Sequence, residues 1–158
     1  MDWQRTFFVT TVTWGRMPIF RVEVRARLFI DVLLGYRGQG KFLLHEFVVM
    51  PDHVHVLLTP APEIALERAV QFFKGGYSYR LRKKENIQVW QESFTNHRIR
   101  DAEDYRRHCE YIRMNPVRAN LMPEAMAYPY SSANLAFGEI DAPAGAEARN
   151  QRIQLTRP

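Results

Sequence analysis

The sequence has a single cysteine and no long apolar segment. Cys109 stands alone, which excludes an intramolecular disulfide and is typical of a reducing compartment. No apolar run approaches the ~20 residues that span a bilayer. The opening residues, MDWQRTFFVT, lack the separate charged region, apolar core and cleavage site of a signal peptide. We therefore expect a cytoplasmic protein with no membrane partner.

Basic residues outnumber acidic residues in one half of the chain. The net charge is +5 over 158 residues. Residues 68–118 contain twelve Lys/Arg and six Asp/Glu, so that 12 − 6 = +6, and the remainder carries 5 − 6 = −1. A hydrophobic content of 46% excludes a disordered chain. The composition indicates one globular domain and permits an anionic partner.

Hydrophobic periodicity predicts strands and helices in alternation. Stretches rich in β-branched and aromatic residues predict strands, and apolar residues three and four apart predict helices. Gly75 and Gly76 predict a kink or break in the second helix. The predicted strands are 5–14, 41–50, 53–59 and 89–99, and the predicted helices are 22–36, 64–84 and 102–114.

This order of elements predicts an α+β fold of the ferredoxin-like type. A βαββαβ core forms a four-stranded antiparallel sheet with helices on one face, and here an additional C-terminal helix follows it. Residues 1–137 are predicted to form the single domain. Residues 138–158 are small, polar and proline-bearing, and we expect a flexible tail there.

Two histidines stand one residue apart in the predicted strand at 53–59. Because side chains on a strand alternate between its faces, His53 and His55 project together while Val54 and Val56 point the other way. Imidazole is the commonest metal-binding side chain. A surface histidine beside one that hydrogen-bonds a backbone carbonyl would give the same pattern.

The last predicted helix carries Tyr111 and Asn115, which share a face because they lie four residues apart. A phenol and a carboxamide there suggest a nucleophile beside an oxygen ligand. Tyr111 could equally be a packed surface tyrosine. Asn115 could instead cap a short turn starting at Pro116, with Asn120 closing it in the left-handed conformation.

The segment HEFVVMPDHVHVLL, followed downstream by YIRMNPVRANL, resembles the REP-associated tyrosine transposases. These belong to the single-tyrosine branch of the HUH endonucleases, named for histidine, hydrophobic residue, histidine. The resemblance continues through FKGGYSYRLRKK and VWQESFTNHRIRDAEDYRRHCEYI, and covers roughly residues 5–135. One departure is Asn120, where relatives commonly carry glycine.

The resemblance implies an enzyme that cleaves and rejoins single-stranded DNA. It implies that His53, His55 and Asn115 hold a divalent ion, Mg²⁺ or Mn²⁺, and that Tyr111 is the nucleophile, forming a covalent 5′-phosphotyrosine. The implied partners are single-stranded DNA hairpins from palindromic repeats, and the implied protein is a monomer or a homodimer. These residue types suit the implied reaction, because a metal ion offsets the negative charge that hinders attack on a phosphodiester.

Basic and aromatic residues mixed between positions 72 and 100 predict a nucleic-acid surface, because aromatic rings stack on bases and cations follow the backbone. The cationic end of the second helix would equally be a solvated end that complements the helix dipole. The predicted DNA-binding residues are Lys74, Tyr77, Arg80, Arg82, Lys83, Lys84, His97, Arg98 and Arg100.

Two other functions fit parts of the pattern. A catalytically silent hairpin-binding regulator would keep the fold, although all four implied site residues are present in this chain. A hydrolytic phosphodiesterase with two histidine motifs fits less well, because the sequence contains one H-x-H only.

Overall fold

The computed structural model describes residues 3–138 and 140–143. Within them the chain forms four strands and three α-helices, joined by turns and short 3-10 helices. The elements in chain order are β1 (Phe7–Val12), α1 (Glu23–Gly38), β2 (Phe42–Val49), β3 (His53–Pro60), α2 (Leu66–Arg82), β4 (Thr95–Arg98) and α3 (Ala102–Arg118). The predicted α+β class and element order are confirmed.

The four strands form one antiparallel sheet in the order β2-β3-β1-β4. This is the order that the ferredoxin-like prediction requires. β4 is much shorter than the predicted strand at 89–99, because only Thr95–Arg98 pairs continuously with β1. Trp90 adds an isolated bridge to Thr13. No described helix is long and apolar enough to cross a membrane.

Helices cover both faces of the sheet. α1 and α2 pack together on one face, against inward residues of β3 such as Val54 and Val56. α3 packs on the opposite face, where Ile112 and Cys109 join Leu57 of β3 in a second apolar cluster. β3 is therefore buried on both sides, and residues that are neighbours in its sequence belong to different cores.

α2 runs without a break through Gly75 and Gly76, so the predicted kink is wrong. The reason lies in helix packing. A Cβ on Gly76 would lie 2.6 Å from the hydroxyl oxygen of Tyr36 on α1, whereas a Cβ on Gly75 would meet nothing within 4 Å. The Tyr36 ring is also stacked on Phe72 of α2, with centroids 5.2 Å apart. Gly76 thus permits close approach of α1 and α2.

Residues 140–143, which were predicted to belong to a flexible tail, dock on the domain. The carboxylate of Asp141 accepts two hydrogen bonds from the Arg37 guanidinium, both 2.8 Å long, and one from the backbone N–H of Leu44. Its backbone carbonyl lies 2.7 Å from Nδ1 of His45. These four residues therefore contact the domain, although the sequence predicted a flexible tail from residue 138 onward. Glu139 and residues 144–158 lie outside the described residues.

The two helix glycines should respond in opposite ways to alanine. Gly75→Ala should raise the free energy of unfolding by about 0.5–1 kcal/mol, because alanine restricts the unfolded chain and fits open space. Gly76→Ala should be less stable than Gly75→Ala by about 1–3 kcal/mol, since the new methyl group displaces the Tyr36 ring. Urea denaturation followed by circular dichroism measures both values. Equal stabilisation by the two variants would contradict a packing role for Gly76.

Candidate active site

The alternation of β3 sends its two histidines to the α3 side of the sheet. His53 and His55 have ring centroids 4.8 Å apart, at an interplanar angle of 72°. Opposite them in β1 stand Val12 and Thr10. The spacing that predicts a shared face is therefore realised in the sheet, with Val54 between the two histidines directed into the other core.

Each histidine is oriented through its Nδ1 atom. His53 Nδ1 lies 2.7 Å from a carboxylate oxygen of Asp52, and His55 Nδ1 lies 2.8 Å from the hydroxyl of Thr10. Burial, and to a smaller extent the neighbouring His53, lowers the pKa of His55 to about 3. The His55 imidazole is therefore neutral at physiological pH, which is the form that binds a metal ion.

Nε2 of His55 is buried and makes no hydrogen bond within residues 3–138 and 140–143. A buried nitrogen without a partner costs about 1–3 kcal/mol. A cation bound at this nitrogen would satisfy it, and a neighbouring imidazole 4.8 Å away, centroid to centroid, supplies a second ligand. The donor set therefore fits a divalent ion. Thr10 completes the arrangement as the partner that orients the ring.

Tyr111 of α3 lies against His55, one of the two histidines. Its ring centroid is 5.4 Å from that of His55 and 5.8 Å from that of Phe8. Tyr111 keeps 39% of its surface exposed, and the Arg118 guanidinium lies 5.6 Å from its ring centroid. The structure thus brings together a histidine from β3 and a tyrosine from α3 that are far apart in sequence.

Tyr77 and Tyr105 are less suited to nucleophilic attack than Tyr111. Burial strongly raises the pKa values of Tyr77 and Tyr105. The Tyr77 hydroxyl also donates to the backbone carbonyl of Arg25. Each of these phenols is held in a core, whereas Tyr111 is accessible to a substrate.

Asn115 lies one helical turn beyond Tyr111 and is buried. It is an interior residue of α3, which continues through Pro116 to Arg118, so the alternative of a cap for a separate turn is wrong. The Asn115 carbonyl accepts from the Ala119 N–H like any helical carbonyl. Among the described residues, no hydrogen bond involves its carboxamide, which leaves the side-chain oxygen free to bind a metal ion. Asn120 does adopt the left-handed conformation, with φ 58°.

An ion pair between an exposed guanidinium and a buried carboxylate joins α3 to the sheet. The Arg113 guanidinium pairs with the carboxylate of Glu46, which is itself hydrogen-bonded by Ser132. Glu46 follows an irregularity in the pairing of β2 with β3, between Leu44 and Glu46. Because Arg113 lies between Tyr111 and Asn115 in sequence, this contact helps to set the position of both.

A cleft of about 490 Å³ opens beside the tyrosine. Sequence reasoning missed five of its lining residues, two of them on β1 and three on α3. The α3 residues carried a signal that was overlooked, because Asp104 and His108 continue the helical stripe of Tyr111 and Asn115 at spacings of three and four. The missed lining residues are Phe8, Thr10, Asp104, Arg107 and His108.

The predicted DNA-binding residues separate into four groups. Tyr77 is fully buried, so its prediction as a stacking residue is wrong. Lys74 donates to the carbonyls of Gln91 and Ser93, and burial lowers its pKa, which makes it a structural tether. His97 and Arg100 line the cleft. The remaining five lie on β4 or at the end of α2, which packs on the sheet face opposite the histidines: Arg80, Arg82, Lys83, Lys84 and Arg98.

Alanine substitution should distinguish a metal-ligand role of Asn115 from a helix-capping role. Asn115→Ala should leave the free energy of unfolding unchanged or raise it by about 0.5 kcal/mol, because alanine is the better helix former. Asp101→Ala is the matched control. Asp101 is the true N-cap and accepts from the Asp104 N–H at 2.8 Å, so its loss should cost about 1 kcal/mol. Thermal and urea unfolding test both, and destabilisation by Asn115→Ala would restore a structural role.

The chain is similar to known transposases in sequence and in fold. The REP-associated tyrosine transposase of Escherichia coli K12 is 24% identical over 143 residues, covering 84% of this chain and 82% of that protein. A solved structure, "Structure of the REP associates tyrosine transposase bound to a REP hairpin", shares the fold with a TM-score of 0.70 at 24% identity, covering 82% of this chain and 76% of that one. The sequence profile of "Transposase IS200 like" matches residues 3–115. The chain therefore belongs to the IS200-like transposase family.

Proposed function

We propose that this protein is a metal-dependent transposase that cleaves and rejoins single-stranded DNA at hairpin-forming repeats. The observation that carries the proposal is the unpartnered, buried Nε2 of His55 next to the accessible ring of Tyr111. A metal ligand and a nucleophile at one cleft are the two parts that phosphodiester transesterification needs. A related structure holds a REP hairpin, which supports DNA hairpins as the partner here.

Tyr111 is the proposed nucleophile. Its phenolic oxygen attacks the scissile phosphorus, the bond from phosphorus to the 3′ oxygen breaks, and the 5′ side becomes a phosphotyrosine. The phenol loses its proton, and the departing 3′ oxygen gains one to become a free hydroxyl. Because the new ester keeps the bond energy, a later 3′ hydroxyl reverses the reaction without ATP. The exposed edge of Tyr111 gives the strand access.

His53, His55 and Asn115 are the proposed metal ligands. Mg²⁺ or Mn²⁺ bound there would polarise the scissile phosphate and offset its charge. Thr10 and Asp52 orient the two imidazoles through their Nδ1 atoms. The carboxamide oxygen is the hardest donor of the three and suits Mg²⁺ better than imidazole does.

Replacing the proposed nucleophile should separate chemistry from binding. Tyr111→Phe should abolish the covalent protein–DNA adduct and leave hairpin affinity within about twofold, because only the hydroxyl reacts while the ring keeps its contacts with His55 and Phe8. Labelled hairpin DNA with single-stranded flanks, Mg²⁺ or Mn²⁺ and a denaturing gel measure the adduct. Tyr79→Phe is the matched control, since this tyrosine is exposed on α2.

An adduct that survives in Tyr111→Phe would place the nucleophile elsewhere. A wild-type protein that binds the hairpin yet forms no adduct with either ion would make the chain a DNA-binding regulator instead of an enzyme.

The three proposed ligands should contribute unequally to one metal site. His53→Ala and His55→Ala should each abolish cleavage and weaken Mn²⁺ binding at least ~100-fold, as losing a ligand removes a direct bond. Asn115→Ala should keep partial cleavage that Mn²⁺ restores better than Mg²⁺, because Mg²⁺ depends more on oxygen ligands. Electron paramagnetic resonance of bound Mn²⁺ reports affinity without DNA. His108→Ala is the control, and loss of Mn²⁺ binding in that variant would move the metal to another part of the cleft.

A further inference from the structure

A second polar cluster occupies the same cleft as Tyr111 and is centred on Asp104. This carboxylate is 2% exposed. It accepts hydrogen bonds from Nε2 of His97 at 2.8 Å and from the backbone N–H of Arg100 at 3.0 Å. Burial raises the pKa of Asp104, but these hydrogen bonds outweigh burial and bring it down to about 2. Asp104 is therefore a fixed negative charge beneath the cleft.

Three cationic or imidazole groups beyond His97 converge on this carboxylate. Nδ1 of His108 lies 3.3 Å from Asp104, the Nε atom of Arg100 lies at 3.6 Å and a terminal nitrogen of Arg107 lies at 3.8 Å. The rings of His97 and His108 are stacked, with centroids 4.8 Å apart at 14°. All five residues line the cleft that Tyr111 borders.

The cluster contains side chains of the types that bind a cation. His97, Asp104 and His108 place ligand-type atoms within 4.8 Å of one another, which is compatible with a metal ion. However, Nδ1 of His108 lies 2.8 Å from the backbone carbonyl of Asp104, so it carries a proton there. Nε2 of His97 likewise donates to the carboxylate. Protons thus occupy the positions that a metal ion would need.

The charges around Asp104 also disfavour a cation. Two guanidinium groups, from Arg100 and Arg107, lie within 4 Å of the Asp104 carboxylate, so its negative charge is already paired. The cluster lies in the first turns of α3, where the helix dipole favours an anion. The side chains of Arg100 and Arg107 are 68% and 60% exposed, which leaves guanidinium N–H groups available to a ligand.

We propose that Arg100 and Arg107 form a phosphate subsite beside Tyr111, held in place by Asp104. This inference rests on the proposed function, and it assigns to the subsite a backbone phosphate next to the one that Tyr111 attacks. Guanidinium groups match phosphate oxygens in a bidentate manner. Phosphate contacts position a strand without reading its sequence. The subsite would therefore hold the strand in register with the nucleophile.

Nuclear magnetic resonance with inorganic phosphate tests the subsite directly. The full chain is titrated without divalent ions, and the imidazole resonances of His97 and His108 are followed. Both should shift together and saturate. In the double variant Arg100→Ala/Arg107→Ala, the saturating phosphate concentration should rise about tenfold, the loss expected when charge-assisted hydrogen bonds are removed. Both side chains are mostly exposed, so the double variant should fold normally.

Arg106→Ala is the matched control for charge. Arg106 neighbours Arg107 on α3 but does not line the cleft. Its removal should change the phosphate titration much less, because only screened attraction is lost. Equal effects of Arg106→Ala and the double variant, or no shift of the two imidazoles with phosphate, would overturn the proposal. A titration with Zn²⁺ alone that saturates at His97 and His108 would do so as well, by making the cluster a metal site.

A second arm connects the subsite to DNA. Single-stranded oligothymidylate, added without divalent ions, should displace phosphate at the same imidazole resonances and bind the double variant about tenfold more weakly. Failure to compete with phosphate would show that the subsite serves a ligand other than DNA. Because no cleavage takes place under these conditions, this result is independent of the adduct assay for Tyr111. Loss of the Tyr111 adduct without any change in phosphate or oligothymidylate binding would contradict the proposed nucleophile but not the phosphate subsite.

Discussion

The structure depends on a strand that is buried on both faces. β3 sends Val54 and Val56 into the core beneath α1 and α2, and presents His53 and His55 to α3. Because the side-chain period of a strand is two, a register slip of one residue would send the imidazoles into the core beneath α1 and α2 and turn the valines toward α3. The apolar face therefore fixes the position of the polar one, and packing energy that has no part in chemistry defines where the proposed metal ligands stand.

The tyrosine reaches these histidines through a second packing constraint. α3 buries Cys109 and Ile112 against the sheet, so residues on the adjoining stripe, including Tyr111, are turned toward β3 and β1. The ion pair between Arg113 and the buried Glu46 removes the remaining freedom to slide. The Arg113 side chain is 55% exposed, so solvent screens the pair and its net contribution to stability is small. Its value here is positional, because it joins α3 to the strand beside the histidines.

Local spacing was enough to predict the fold and the face shared by each pair of site residues, because both depend on periods of two and 3.6 within single elements. The roles of those residues were implied by the family resemblance, since structural histidines, tyrosine and asparagine would show the same spacing. Sequence alone did not reveal Thr10, which reaches His55 only through the pairing of β1 with β3. It also misjudged Tyr77, because a tyrosine on the apolar stripe of a basic helix looks the same whether buried or stacking on a base. The predicted break at Gly75-Gly76 is wrong for a similar reason, since the contact with Tyr36 comes from another helix.

The cleft combines two environments of opposite electrostatic character. On the β3 side, burial keeps His55 neutral with an unpartnered nitrogen, so this part accepts a cation without having to displace a proton from the ring. At the start of α3, a buried carboxylate holds two mostly exposed guanidinium groups at the cleft, so this part favours an anion. A DNA strand with a metal ion bound at one phosphate presents a positive charge at that phosphate and a negative charge at the next one. Tyr111 borders both environments, which is where a nucleophile must stand to attack a strand held at two points.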